Sequence, residues 1–322
     1  MKQARRPASC PRHQRGAAIL TAMIIVTLVV TLAAAMVWQQ WRAVQVEAAE
    51  RARSQSAWIL AGALDWARLI LRTDAQTGGA DHLGEPWAVP LAEARLSTFL
   101  AVDKDNTDDA PAAFLSGSIT DAQSRYNLTN LVDQGKVEPL ELAILERLCL
   151  NLGLSSDVAI KIANGMRDAS SPPGATGGNA SAPLLPRSVS QLVWLGVDAK
   201  ALQQLGPYVV VLPVRTALNV NTASRESLAG VVKGLDLAAA ERLVQVRQRT
   251  PFKTLAEVQA QLSGLPPLNP QQLSVTSSFF EVRGRLRLED RVLEQSSLVE
   301  RRGLDIVPLQ REREASREQL GS

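Results

Sequence analysis

The feature that most constrains this chain is the run from Ala17 to Val37, 21 residues without a charged side chain. As a helix it would rise about 31 Å, close to the hydrocarbon thickness of a bilayer. Five basic residues (Lys2, Arg5, Arg6, Arg12, Arg15) and no acid precede it. A cationic flank holds its end of a helix in the cytoplasm, so everything after Trp38 is expected across the membrane, in a bacterium the periplasm. The same five residues account for the formal net charge of +3; without them 30 basic residues face 32 acidic ones, a balance of −2. The basicity therefore belongs to the N-terminus, and the rest of the chain lacks the positive charge that drives nucleic-acid binding. Cys10 and Cys149 fall on opposite sides of the membrane-spanning run, which rules out a disulfide between them. Cys149 then reads as a small buried hydrophobe.

No proline occurs from Ala17 until Pro86 and no glycine from Ala17 until Gly62, which predicts one helix from Ala17 to about Arg72. Its length is on the order of 80 Å. Its outer part carries Leu60, Leu64, Ala67 and Leu71 on one face, a spacing suited to packing on a domain. Trp38 and Trp41 stand at the outer end of the apolar run, where aromatic belts form. Trp58, Trp66 and Trp87 are candidates for partner contacts.

Farther along, Gly117–Asp121 reads as a strand, and 279–288 and 292–299 read as a pair of strands. Alternation puts Val282, Leu286 and Leu288 on one face and Arg283, Arg285 and Arg287 on the other, a solvated one. Between these strands a helical block repeats itself: Gly153-Leu154, Ala159 and Ile162 recur as Gly234-Leu235, Ala240 and Leu243. Each glycine is placed to end a helix in a left-handed turn. Ser188 to Gln191 and Thr254 to Glu257 have capping-box spacing. Residues 170–187, rich in Pro, Gly and Ser, are an inserted loop. The two units resemble helix-hairpin-helix modules, which bind DNA through hairpin amides close to a phosphate. Here, however, the second turn is Gly234-Leu235-Asp236, with a carboxylate where the phosphate would sit. In "LNVNTAS" (218–224), Asn219 and Asn221 are expected to bond local backbone, and Thr222 or Ser224 to start the next helix. The last residues, "QREREASREQLGS", lack an apolar face and read as disordered.

Nothing in the chain assembles a reaction centre. Without the basic leader His82 is the sole histidine, and no phosphate loop or metal-spaced His/Cys cluster occurs. The sequence reads as that of a non-enzyme without a cofactor.

Arg15-Gly16-Ala17, set directly before the apolar run, resembles the cleavage site of type IV prepilin-like proteins. "DHLGEPWAVPL" (81–91), "SGSITDAQSRYNLTNLV" (116–132) and "LNVNTAS" resemble the K-type pseudopilins of type II secretion, the general secretion pathway protein K family, and the likeness extends from Arg15 to about Gly303. The resemblance implies that a prepilin peptidase cuts between Gly16 and Ala17, followed by methylation of the new amino group. It also implies that Ile19, Leu20, Thr21, Ile24 and Leu28 pack against neighbouring helices. Relatives usually carry glutamate at the fifth mature position; K-type proteins do not, and here Thr21 stands there. A carboxylate in hydrocarbon is expensive unless paired.

The implied fold is α+β: a pilin-like long N-terminal helix on an antiparallel sheet, with a large inserted helical domain of tandem sterile-alpha-motif-like units. The expected organisation is a cytoplasmic leader (1–16), the long helix (17–72, membrane-spanning over 17–37), a pilin-like domain (73–122 and 274–308), the helical insertion (123–273) and a disordered tail (309–322). The implied role is a minor pseudopilin at the tip of the secretion pseudopilus. Its implied partners are the I- and J-type minor pseudopilins, the prepilin peptidase and the inner-membrane secretion platform, and no nucleic acid. Some relatives bind calcium in the helical domain; here the loop supplies only Asp168, a weak calcium candidate. The alternatives are a membrane-anchored DNA receptor, an uncut bitopic scaffold, and a secretory signal cut near Ala33–Ala35.

Overall fold

The computed structural model describes residues 15–96, 113–170, 183–288 and 291–317. The leader before Arg15, most of the inserted loop and the last five residues lie outside them. The first element, α1 (Arg15–Thr77), continues five residues past Arg72. The chain divides into two units, residues 1–58 and 59–322. In the first unit the apolar residues of α1, from Ile19 through Val37, are exposed along their whole length. In the second, Leu60, Leu64, Ala67 and Leu71 are all buried, as their spacing on one face requires.

Five strands form an antiparallel sheet whose order follows the chain: β1 (Leu91–Arg95), β2 (Ala113–Asp121), β3 (Phe279–Leu288), β4 (Arg291–Arg302) and β5 (Asp305–Arg317). Leu64, Ala67 and Leu71 of α1 pack on Ile119, Phe280, Val282, Val299 and Ile306. Trp87 is buried edge-on against Phe280, with ring centroids 5.2 Å apart. Val282 and Leu286 face inward, whereas the opposite face carries Arg283, Arg285 and Arg287. Those arginines pair with Glu281, Glu294 and Glu93, respectively.

The tail expected to be disordered from 309 begins as strand. Residues 310–317 pair with residues 291–298 of β4, up to Arg291↔Arg317. Backbone pairing needs no apolar stripe when a long neighbour offers an open edge, and alternating Arg and Glu suits a solvated edge. A search for apolar periodicity therefore passes over it.

β2 and β3 are direct neighbours, in register from Ala113↔Leu288 to Asp121↔Phe280. The whole helical part thus leaves the sheet at Asp121 and re-enters at Phe279. It comprises α2 (Pro139–Asn151), α3 (Ser156–Ser170), α4 (Ala199–Leu205), α5 (Arg225–Val231), α6 (Leu237–Arg249) and α7 (Leu255–Gln261). Both repeats share one core: Leu145, Leu148, Ile162 and Leu192 join Leu228, Leu243, Val258 and Leu273. Gly153 and Gly234 sit at φ +73° and +83°, the left-handed turns the repeat demands. Thr254 caps α7 through the Glu257 amide, and the Glu257 carboxylate accepts from the Lys253 amide. Ser188 keeps only half of this pattern, with the Gln191 side chain accepting from the Arg187 amide at 2.7 Å. Its hydroxyl turns to Ser190, and the backbone carbonyl of Ser188 accepts from the Gln191 amide.

A Cβ at Gly153 would meet open space, whereas at Gly234 it would come within 3.2 Å of Leu265. Gly153→Ala is expected to cost about 1–2 kcal/mol from backbone strain alone, and Gly234→Ala more. Urea unfolding of the two variants measures both.

Candidate functional site

The three sequence stretches that carry the family resemblance meet at one buried polar junction where the helical part joins the sheet. Asp121 ends β2, and its carboxylate is fully enclosed. One oxygen accepts the Gln123 amide at 2.7 Å. The other accepts the Ser277 hydroxyl (2.6 Å), the Thr222 hydroxyl (2.6 Å) and the Asn219 amide (3.0 Å). Asn219 also donates to the Asp81 carbonyl at 3.1 Å and to Ser277. The local role expected for Asn219 is therefore half of what it does: its Oδ1 does accept from the Asn221 amide, while its Nδ2 ties distant segments together. Asn221 bonds nothing local with its side chain, which pairs both ways with the Phe252 backbone. Ser224 starts α5 by accepting from the Ser227 amide.

Next to this junction, Asp74 at the end of α1 and Asp81 of the following loop bind Arg301 of β4, and Glu85 lies beside the two aspartates. The guanidinium donates to Asp74 at 2.8 Å, to both oxygens of Asp81 at 2.6 Å, and to the Ser277 carbonyl at 2.5 Å. Asp81 also accepts the Ser277 amide at 2.6 Å. Glu85 accepts the His82 amide at 2.9 Å and the Trp87 indole N–H at 2.7 Å. Among the described residues these three acids are the group spaced closely enough to hold a metal ion. Arg301 already supplies their cation, so the donor set fits an arginine latch better than a metal site. Burial pushes the Asp81 carboxyl up and the Arg301 and Ser277 bonds oppose it; Asp121 is likewise raised by burial.

The predicted site residues lie elsewhere and are not brought together with this junction. Gly16 and Ala17 fall in the first turn of α1. Ile19, Leu20, Ile24 and Leu28 are each more than half exposed. The Thr21 hydroxyl donates back to the Ala17 carbonyl at 2.7 Å and to Ala18 at 3.1 Å, so it is satisfied without a partner molecule. Asp168 accepts from Arg167 at 2.9 Å, a cation already beside the weak calcium candidate. In the hairpin turn, Asp236 accepts the Ala239 amide at 2.6 Å and caps α6, so a carboxylate occupies the donor a phosphate would need. Cys149 is buried in α2, and burial pushes its thiol up to about 11, which makes it unreactive.

Comparison with known proteins places this architecture. Residues 124–214 and 218–276 match family models described as "Type II secretion system (T2SS), protein K". The type II secretion system protein K of Pectobacterium carotovorum subsp. carotovorum is 29% identical over 332 residues, covering 93% of this chain and 96% of the relative. The protein of the same name from Pseudomonas aeruginosa is 28% identical over 303 residues, covering 87% and 86%. These matches all support the type II secretion system protein K family for this chain. The same findings support a minor pseudopilin of that system. A chain in the crystal structure of the GspK-GspI-GspJ complex from enterotoxigenic Escherichia coli superposes with a TM-score of 0.62 at 20% identity, over 83% of this chain and 99% of that one. The fold is therefore the α+β arrangement that the resemblance implied.

Asp74, Asp121, Ser277 and Arg301 escaped sequence reading as a site. The available signal was Arg301, which shares the inward parity of Ser297 and Val299 on β4, where a cation needs a partner. Asp121→Asn is expected to destabilise the protein by about 2–3 kcal/mol, since an amide would present donors to a cluster of donors. Ser277→Ala should cost about 1.5–3 kcal/mol, the range for a hydrogen bond to a charged group. Chemical unfolding midpoints at neutral pH test both.

Proposed function

We propose that this protein is cleaved between Gly16 and Ala17 by a prepilin peptidase and then caps the tip of the type II secretion pseudopilus. There it starts assembly with the I- and J-type minor pseudopilins. The observation that carries the reading is the combination of a fully uncovered apolar helix with a family-specific folded part. An apolar face left uncovered within its own chain calls for lipid first and other helices afterwards. In the related Escherichia coli complex GspK is joined with GspI and GspJ, and that supports the choice of partners.

In this reading the cationic leader keeps the N-terminus cytoplasmic and the folded part is periplasmic. The inner-membrane platform receives the processed subunit. Residues Ile19, Leu20, Ile24 and Leu28 form the helix-packing face. Thr21 replaces the customary acid with a hydroxyl that already has its hydrogen bond. In the folded unit, Trp66 and Leu69 expose 48% and 58% of their surfaces on α1 and offer a contact surface for the I/J pair. The helical domain supplies the bulk that stops a further subunit from adding above. The protein acts as a structural component without catalysis of its own. The domain scheme follows: leader, membrane rod, pilin-like sheet, and an insertion between β2 and β3.

Mass spectrometry of protein from native membranes should give a mature chain beginning at methylated Ala17; a chain beginning at Met1 would sink the processing step. Leu69→Glu should leave the unfolding midpoint within about 0.5 kcal/mol of wild type, as exposed substitutions do. It should also weaken capture of the I/J pair at least tenfold in pull-downs. Unchanged capture would remove α1 from the interface.

A further inference from the structure

We propose that Asp74, Asp81 and Glu85, gathered around the single guanidinium of Arg301, form a proton-held latch that fastens the root of the helical domain to the end of α1. The geometry sets three carboxylates against one cation, with the side chains of Arg301, Asp74 and Asp81 largely buried. The ligand-capable oxygens of all three lie within 4.8 Å of one another. Arg301 is bonded to Asp74 and Asp81 and is stacked 5.0 Å from the Phe280 ring centroid, so it cannot turn away to a new partner without breaking the latch. Ionised together, the three acids exceed the charge of Arg301 by two. A proton removes one of these negative charges.

The proton belongs on Asp74. Glu85 accepts two N–H donors, from His82 and Trp87, and Asp81 accepts the Ser277 amide besides the bonds from Arg301, so both carboxylates are already engaged by fixed donors. Asp74 accepts from Arg301 and lies close enough to Glu85 to share a hydrogen with it. The charged groups facing it are Arg301 from β4 and Asp81 and Glu85 from the loop after α1. Asp121 from β2 lies one residue further on, through Ser277. Burial first, then Glu85 and Asp81, push the Asp74 carboxyl from 3.8 up to about 6, against the pull of Arg301. A carboxyl raised in the folded state binds its proton more tightly there than in the unfolded chain. Its stabilisation is therefore complete below about pH 4 and is lost as pH rises through 6.

The latch reaches the helical domain by a continuous polar path. Asp81 and Arg301 both hold Ser277, Ser277 holds Asp121, and Asp121 holds Asn219 and Thr222 at the start of the second repeat. A periplasm whose acidity follows the surroundings would thus set how firmly the helical domain is rooted.

The test is thermal unfolding of the full chain in detergent from pH 4 to pH 8, comparing wild type with Asp74→Asn, whose amide imitates the protonated acid. The two should unfold closest together at pH 4, and the variant should draw ahead between pH 4 and 6 and stay higher by a few degrees at pH 8, with a flatter pH profile. Parallel profiles, or a variant lower than wild type at pH 8, would overturn the latch. Carbon-13 carboxyl NMR of Asp-labelled wild type gives a readout independent of the variant's folding. One aspartate titrating near pH 6 is expected, and none above pH 5 would refute the proposal. Millimolar calcium at pH 8 should leave the wild-type midpoint unchanged; a rise matching the Asn variant would make the cluster a cation site instead and end the proton reading.

Discussion

The architecture depends on the buried carboxylate of Asp121. An insertion between two paired strands must leave and return at one point, and there the chain has to satisfy backbone and side-chain polar groups that the sheet has stopped satisfying. Asp121 does so with donors from Gln123, Asn219, Thr222 and Ser277, which lie at the exit, at the middle and near the return of the inserted segment. One buried charge with four donors closes the loop that the helical domain makes out of the sheet. Removing any donor leaves part of the charge unpaired, which is why the junction is expected to be sensitive to single substitutions.

Much of the fold is visible in the amino-acid order alone. The uncharged run, the absence of proline before Pro86, the Leu60–Leu71 face and the alternation of Val282 and Leu286 against arginines all act through short-range periodicity. Periodicity is the part of folding that a single sequence records directly. The paired glycines at 153 and 234 are legible for the same reason, because a left-handed turn is a property of one residue. β5 was not legible, since its strand character comes from the neighbour it pairs with and not from its own side chains.

The junction lies between these cases. Asp81, Asp121 and Asn219 each stand in a stretch that marks the family, yet each reads as a turn or cap when taken alone. Their bond to one another spans as many as 138 residues, and nothing in local spacing encodes such a meeting. Only the inward parity of Arg301 on β4 hints that a charge must be met from elsewhere. Likewise the threonine at position 21 looks from sequence like a missing acid. In the structure its hydroxyl is already committed to the Ala17 carbonyl, so the substitution leaves the helix without any group that seeks a partner at that depth.

β5 has a further consequence. A sheet border normally invites recruitment of a strand from another molecule, because its outward N–H and C=O groups are free. Here that border presents exposed Arg311, Glu312 and Arg313, and Pro308 interrupts it beside a bulge. Lateral stacking of sheets, the route to uncontrolled fibres, is blocked at this flank by charge and by a residue with no N–H to give. At this flank association is thereby left to side chains rather than to backbone pairing.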